Sequence, residues 1–150
     1  MLSKQRSLQR LAALYAVVAE ARSYELEVAA MRLHETEMAI AGQQDLVAKA
    51  SASGRLALHT ESSLDRRAAE VTVLAAERGV GVLMERRIVH VNQCEAARAE
   101  YVMCRQRSEQ MREIVDEMLA EAGSAEVRAE QSRSDDRYVA RKHWLSQQRS

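Results

Sequence analysis

The chain contains no proline and no phenylalanine, and only five glycines in 150 residues. Without proline, no residue lacks a backbone N–H or drives a ring into the preceding helical turn, so helices of unusual length are permitted. Aromatic residues make up 3% of the chain, which excludes a thick core filled with ring bulk. Ala, Glu, Arg, Gln, Leu and Met are plentiful, and all are good helix formers. What is left suits a narrow apolar seam between long helices.

Excess charge of either sign is also missing. Lys plus Arg number 22 and Asp plus Glu number 22, for a net charge of zero. Nucleic-acid binders normally carry a basic surplus, so no nucleic acid is expected as a partner. Disorder is disfavoured, because 47% of residues are apolar, although much of that is alanine. Cys94 and Cys104 stand ten apart on one expected helix, on opposed or oblique faces, which excludes a bridge between them. Two free thiols fit a reducing, cytoplasmic setting. The basic start (Lys4, Arg6, Arg10) leads into the apolar run Leu11 to Ala19, but Glu20 and Arg22 end it and no small-residue cleavage site follows. No uncharged run approaches the ~20 apolar residues of a membrane span.

Apolar residues recur at steps of three and four, the spacing that keeps one helix face turned to a partner. A first helix is expected over about residues 3–50, with the stripe Leu8, Leu11, Tyr15, Val18, Leu26, Ala29, Leu33, Ile40 and Val47. A second, weaker edge holds Leu14, Ala21, Val28, Met31 and Met38. The small residues Ala50-Ser-Ala-Ser-Gly54 mark a turn over about 51–63, after which Ser62 or Ser63 fits an N-cap, with Asp65 meeting the helix dipole. A second helix is expected over about 64–122, with the stripe Leu64, Val71, Leu74, Val82, Val89, Ala96, Met103, Ile114 and Met118. Gly79 and Gly81 bend it, or else form the true turn of a three-helix packing. Gly123-Ser124 is a weak point before a polar helical arm over about 125–148. The expected fold is all-α: one long antiparallel two-helix coiled-coil hairpin with an overhanging C-terminal helix. With the turn near 51–61, residue ~105 meets the N-terminal end and the last ~40 residues project past it.

Motifs for chemistry are scarce. Among His34, His59, His90 and His143 no pair has metal-binding spacing. His90 and Cys94 are four apart, but two ligands do not make a site. The acidic pairs Glu109–Glu113 and Glu113–Glu117 sit beside Arg105, Arg107 and Arg112, so a solvated charged face is the better reading. No phosphate loop, nucleophile elbow or HExxH motif occurs. The expectation is a protein that is not an enzyme, with no cofactor and no metal.

Charge is unevenly distributed. The first ten residues hold Lys4, Arg6 and Arg10 without an acid, and the stretch from Arg137 to Arg149 holds Arg137, Arg141, Lys142 and Arg149 without one. Arg133, Arg137 and Arg141 are four apart and form a stripe, with Tyr138 and Trp144 nearby. A solvated helix face and a docking surface for an acidic partner are both open readings, and Trp beside Arg is a common interface anchor. The candidate partner-binding residues are Arg6, Arg10, Arg133, Arg137, Arg141, Lys142 and Trp144.

The tail Arg128-Ala-Glu-Gln-Ser-Arg-Ser-Asp-Asp-Arg-Tyr-Val-Ala-Arg-Lys142 resembles the C-terminal stretch of the FliJ/YscO family, in which an acidic pair precedes a charged helical segment. Leu8-Gln-Arg-Leu-Ala-Ala-Leu14 resembles that family's opening. Family members are central stalks of the ATPase complex in flagellar and type III secretion export machines. The resemblance implies a helical hairpin whose basic end enters a hexameric export ATPase, with Asp135, Asp136, Arg137, Arg141 and Lys142 in the inserted arm. It implies a tip directed at the export gate membrane protein, secretion chaperones as further partners, and a cytoplasmic location peripheral to the inner membrane. Ser51 to Ser63 lacks aromatic residues and the pair Gly79 and Gly81 is unexpected, which departs from the family pattern. The alternative is a generic coiled-coil scaffold or self-associating adaptor.

Overall fold

The computed structural model describes residues 2–148, and Arg149 lies outside them. Two helices account for nearly all of it: α1 (Leu2–His59, 58 residues) and α2 (Ser63–Gln147, 85 residues). They pack against one another as an antiparallel hairpin, as expected. The turn is far shorter than residues 51–63. Thr60, Glu61 and Ser62 alone connect the helices. The segment Ala50 to Gly54 stays helical because Gly54 is used for close approach, not for a turn: a Cβ there would stand 3.2 Å from the Ala69 Cβ.

Side chains set the turn. Thr60 Oγ1 donates to the Ala57 carbonyl at 3.3 Å, covering one of the last open carbonyls of α1. Ser62 is the N-cap of α2: its Oγ accepts from the Asp65 N–H at 3.3 Å, and its carbonyl accepts from the Arg66 N–H at 3.2 Å. Glu61 takes a left-handed φ of 56° to reverse the chain.

The chain divides into two units, Val18–Cys104 and Met1–Val17 with Arg105–Ser150. In the first, contacts between Gly54 and Ala69, Gln43 and Gly79, and Thr36 and His90 give the antiparallel register. Covered positions of α1 there form an unbroken ladder in steps of three and four: Leu26, Ala29, Leu33, Thr36, Ile40, Gln43, Val47, Ala50, Gly54 and Ala57. Those of α2 do the same: Ala69, Val73, Ala76, Val80, Leu83, Arg87, His90, Cys94, Ala97, Tyr101 and Cys104. This is a coiled-coil repeat. Its most buried members are small, with Ala76 at 2% exposure, so the backbones approach closely and little aliphatic bulk is needed.

The stripe expected on α2 is its outer face. Leu64, Val71, Leu74, Val82, Val89, Ala96, Met103 and Ile114 are all exposed, and only Met118 of that set lies partly in the seam. Following large side chains leads to the wrong face, because the seam of α2 is built largely from alanine, cysteine and valine. On α1 the expected stripe is largely the true one, apart from the exposed Leu11 and Val18. The glycine pair neither bends α2 into a third helix nor ends it. Gly79 leaves room for Gln43, whose Cδ and Oε1 would lie 3.4 Å from a Cβ, while Gly81 faces open space. Cys94 and Cys104 both turn into the seam, on one side of α2 and not on opposed faces. Ten residues of rise, about 15 Å, keep them apart as free thiols.

In the second unit, Leu8, Ala12 and Tyr15 of α1 continue the spacing, as do Ser108, Met111, Val115 and Met118 of α2. Lys4, Gln5 and Leu8 line a groove with α2 residues from Ile114 to Arg128. The N-terminal end of α1 thus meets residues near 114–128, not residue ~105, because α1 is nine residues longer than expected at its far end. Among the described residues no helix is long and apolar enough to cross a membrane.

Candidate interaction site

Two places on the hairpin carry more than a seam requires: the far end of α2 and a polar cluster inside the seam. From residue 119 to 147 every residue of α2 is exposed, yet the helix continues to Gln147. No separate arm begins at 125, and Gly123-Ser124 is not a break. Ser124 is tied down locally. Its Oγ donates to the Glu121 carbonyl at 2.9 Å, and Arg128 Nε donates to the Ser124 carbonyl at 3.2 Å. Ser146 Oγ donates to the His143 carbonyl at 2.7 Å near the last turn.

On this bare helix, 100° per residue places Arg133, Arg137 and Arg141 on one flank. Trp144 is seven beyond Arg137 and three beyond Arg141, so it joins the same flank, while Lys142 points about 100° away from Arg141. Val127, Tyr138 and Leu145 share a neighbouring strip and are all exposed. Arg133, Arg137, Arg141 and Lys142 make no ion pair among the described residues. The arginine flank is therefore a row of solvated cations ending in an exposed indole, the chemistry that accepts carboxylates and offers one flat apolar anchor.

Arg6 and Arg10 are exposed on α1, but they are not gathered with that row. Leu8 shares its groove with Met118, so Arg6 stands near the level of residue 120. Arg133 lies about 20 Å further along α2 at 1.5 Å per residue. Arg6 and Arg10 thus stand near the base of the exposed stretch of α2, and the arginine row lies further along it.

Inside the seam, Thr36 is the most buried polar residue, at 5% exposure. Its Oγ1 lies 2.9 Å from the Arg32 carbonyl and 2.9 Å from His90 Nδ1. His90 Nδ1 also lies 3.2 Å from the Arg32 carbonyl. A carbonyl only accepts, so both contacts of His90 are satisfied when Nδ1 carries the proton and donates. One turn away, Arg87 Nε donates to Glu37 Oε1 at 3.0 Å across the helices. That pair is well exposed and contributes ~0–1 kcal/mol. The cluster fixes which turn of α1 faces which turn of α2. His90 and Cys94 share the seam face, with the His90 ring turned to Thr36.

Arg22 occupies a seam position on α1 and donates to Glu25 at 2.7 Å. The hydrogen bond and charge of Glu25 hold its guanidinium above the usual arginine value, with Glu100 adding to the effect. The Asp45 carboxylate raises the Lys49 ammonium in the same way, at 2.6 Å. The seam cluster left no signal in the periodicity, because Thr, Gln, Arg and His replace apolar residues in its register. No family model, curated protein or solved structure matches the chain.

Proposed function

We propose that this chain is a non-enzymatic stalk of a bacterial type III protein export apparatus, flagellar or injectisome. It inserts its C-terminal helix into the hexameric export ATPase. The observation that carries the reading is the end of α2 from residue 119, helical to Gln147 and exposed on every residue, whose row Arg133, Arg137 and Arg141 makes no ion pair among the described residues. A stiff helix bearing cations suits an acidic annulus, where complementary charge steers entry and fixes orientation. Trp144 serves as the anchor at the deep end, and Lys142 contacts a second wall. Arg6 and Arg10, about 20 Å back, stay at the rim of the ring. The turn Thr60–Ser62 is the end directed at the export gate, and the protein works in the cytoplasm, peripheral to the inner membrane.

The test is stimulation of a purified export ATPase from the same genome. Arg133→Glu with Arg137→Glu is expected to abolish stimulation and ring binding while circular dichroism shows unchanged helicity. Stimulation equal to that of the parent chain removes the reading.

A further inference from the structure

The seam uses one face of α1, and the opposite face carries a second coiled-coil repeat that is exposed at every position but the half-buried Val28. It runs Ala21, Tyr24, Val28, Met31, Glu35, Met38 and Gly42, in steps of three and four. Tyr24, Met31 and Met38 are 68%, 61% and 60% exposed, and a Cβ at Gly42 would meet nothing. A stretch of 22 residues with one charge in seven stripe positions is a helix face built for contact, since solvated faces carry charge throughout.

We infer that this face binds the same face of a second copy, antiparallel, about a two-fold axis passing between Ala29 and Ala30. Charges on the two copies are complementary in one register. When residues whose numbers sum to 59 face each other, Val28 meets Met31 of the second copy and Ala21 meets Met38. Glu35, the single charge on the stripe, meets Tyr24, whose hydroxyl can donate to it. On the flanks, where the pairing is offset by two positions from the stripe, Glu25 then faces Arg32 on one side and Glu27 faces His34 on the other. Each pair occurs twice by symmetry, as a self-complementary surface requires. Glu25 already accepts from Arg22 at 2.7 Å, but its side chain is 55% exposed and a carboxylate accepts more than one donor.

Other registers fail on the same residues. Sliding by one heptad in one direction sets Glu25 against Glu25, and in the other Arg32 against Arg32. Parallel pairing sets Glu35 against Glu35 inside the stripe and Glu20 beside Glu25. Like charges at such positions select against those arrangements.

This pairing is independent of the stalk reading, since it uses none of the residues assigned to the ATPase. It is tested by sedimentation equilibrium on the full chain from micromolar to millimolar concentration. The expected result is a mass rising toward twice 16.9 kDa. Met31→Glu, at an exposed site that cannot disturb the seam, is expected to hold the chain monomeric with unchanged helicity. Glu25→Arg is expected to weaken association about tenfold through two like-charge pairs. Adding Arg32→Glu to that variant should restore it to within about threefold of the parent. A parent chain that stays monomeric throughout overturns the inference. So does a Met31→Glu variant that associates as well as the parent, or a charge exchange that fails to restore association.

Discussion

Removing the Thr36 hydroxyl tests whether the polar cluster is a cross-helix bond or merely two residues tolerated in a seam. Thr36→Val keeps the shape and removes the acceptor that His90 Nδ1 meets at 2.9 Å, together with the hydroxyl bond to the Arg32 carbonyl. The Arg32 carbonyl keeps its backbone partner, and His90 keeps its 3.2 Å contact to that carbonyl. The expected loss is therefore the net worth of one bond, about 1 kcal/mol. His90→Leu removes both His90 contacts, leaves the Thr36 hydroxyl satisfied by Arg32, and adds apolar surface to the seam, so its cost is roughly 0 kcal/mol. In the double variant no donor is stranded, and stability should match or exceed that of the parent. The cycle, measured by urea unfolding followed by circular dichroism, should yield a coupling of about 1 kcal/mol. Effects that simply add, within about 0.3 kcal/mol, would refute the cross-helix bond.

Other outcomes follow from the turn and the glycines. Glu61 holds a left-handed φ of 56°, so Glu61→Gly should raise the urea midpoint, with a gain of about 1 kcal/mol; a lower midpoint would mean that the Glu61 side chain holds the turn. Gly81 faces open space, so Gly81→Ala should stabilise by ~1 kcal/mol in thermal unfolding. At Gly54 the Ala69 Cβ is 3.2 Å away, so Gly54→Ala should gain clearly less, and Gly54→Leu should lose about 1–3 kcal/mol as the helices are forced apart. Equal gains for both alanine variants would show that the close approach at Gly54 is not a constraint.

Much of the fold was legible in the residues. The want of proline allowed two long helices, Ser62 and Asp65 announced the start of α2, and Leu26, Leu33, Ile40 and Val47 marked the right face of α1. The face of α2 was not legible, for a physical reason. A seven-residue repeat largely of alanine, cysteine and valine stands back to back with a repeat of larger apolar residues, and hydrophobic bulk selects the latter. The turn was misplaced because Gly54 reads as a stop signal, when its use is contact with Ala69. The Arg133, Arg137 and Arg141 row could be read directly, since a bare helix needs only its own period. The level at which Arg6 and Arg10 stand along α2 could not, because it depends on where the turn falls.

Sequence alone thus determined the helices, their antiparallel return and the cationic row, all of which follow from local propensity and helical period. Tertiary structure decided which of two apolar faces on each helix became the seam. It did so through small side chains that let the backbones close together, and through Thr36 and His90, whose bond exists only in one register. The faces left outside are consequences of that choice, and no single helix carries the information that makes it.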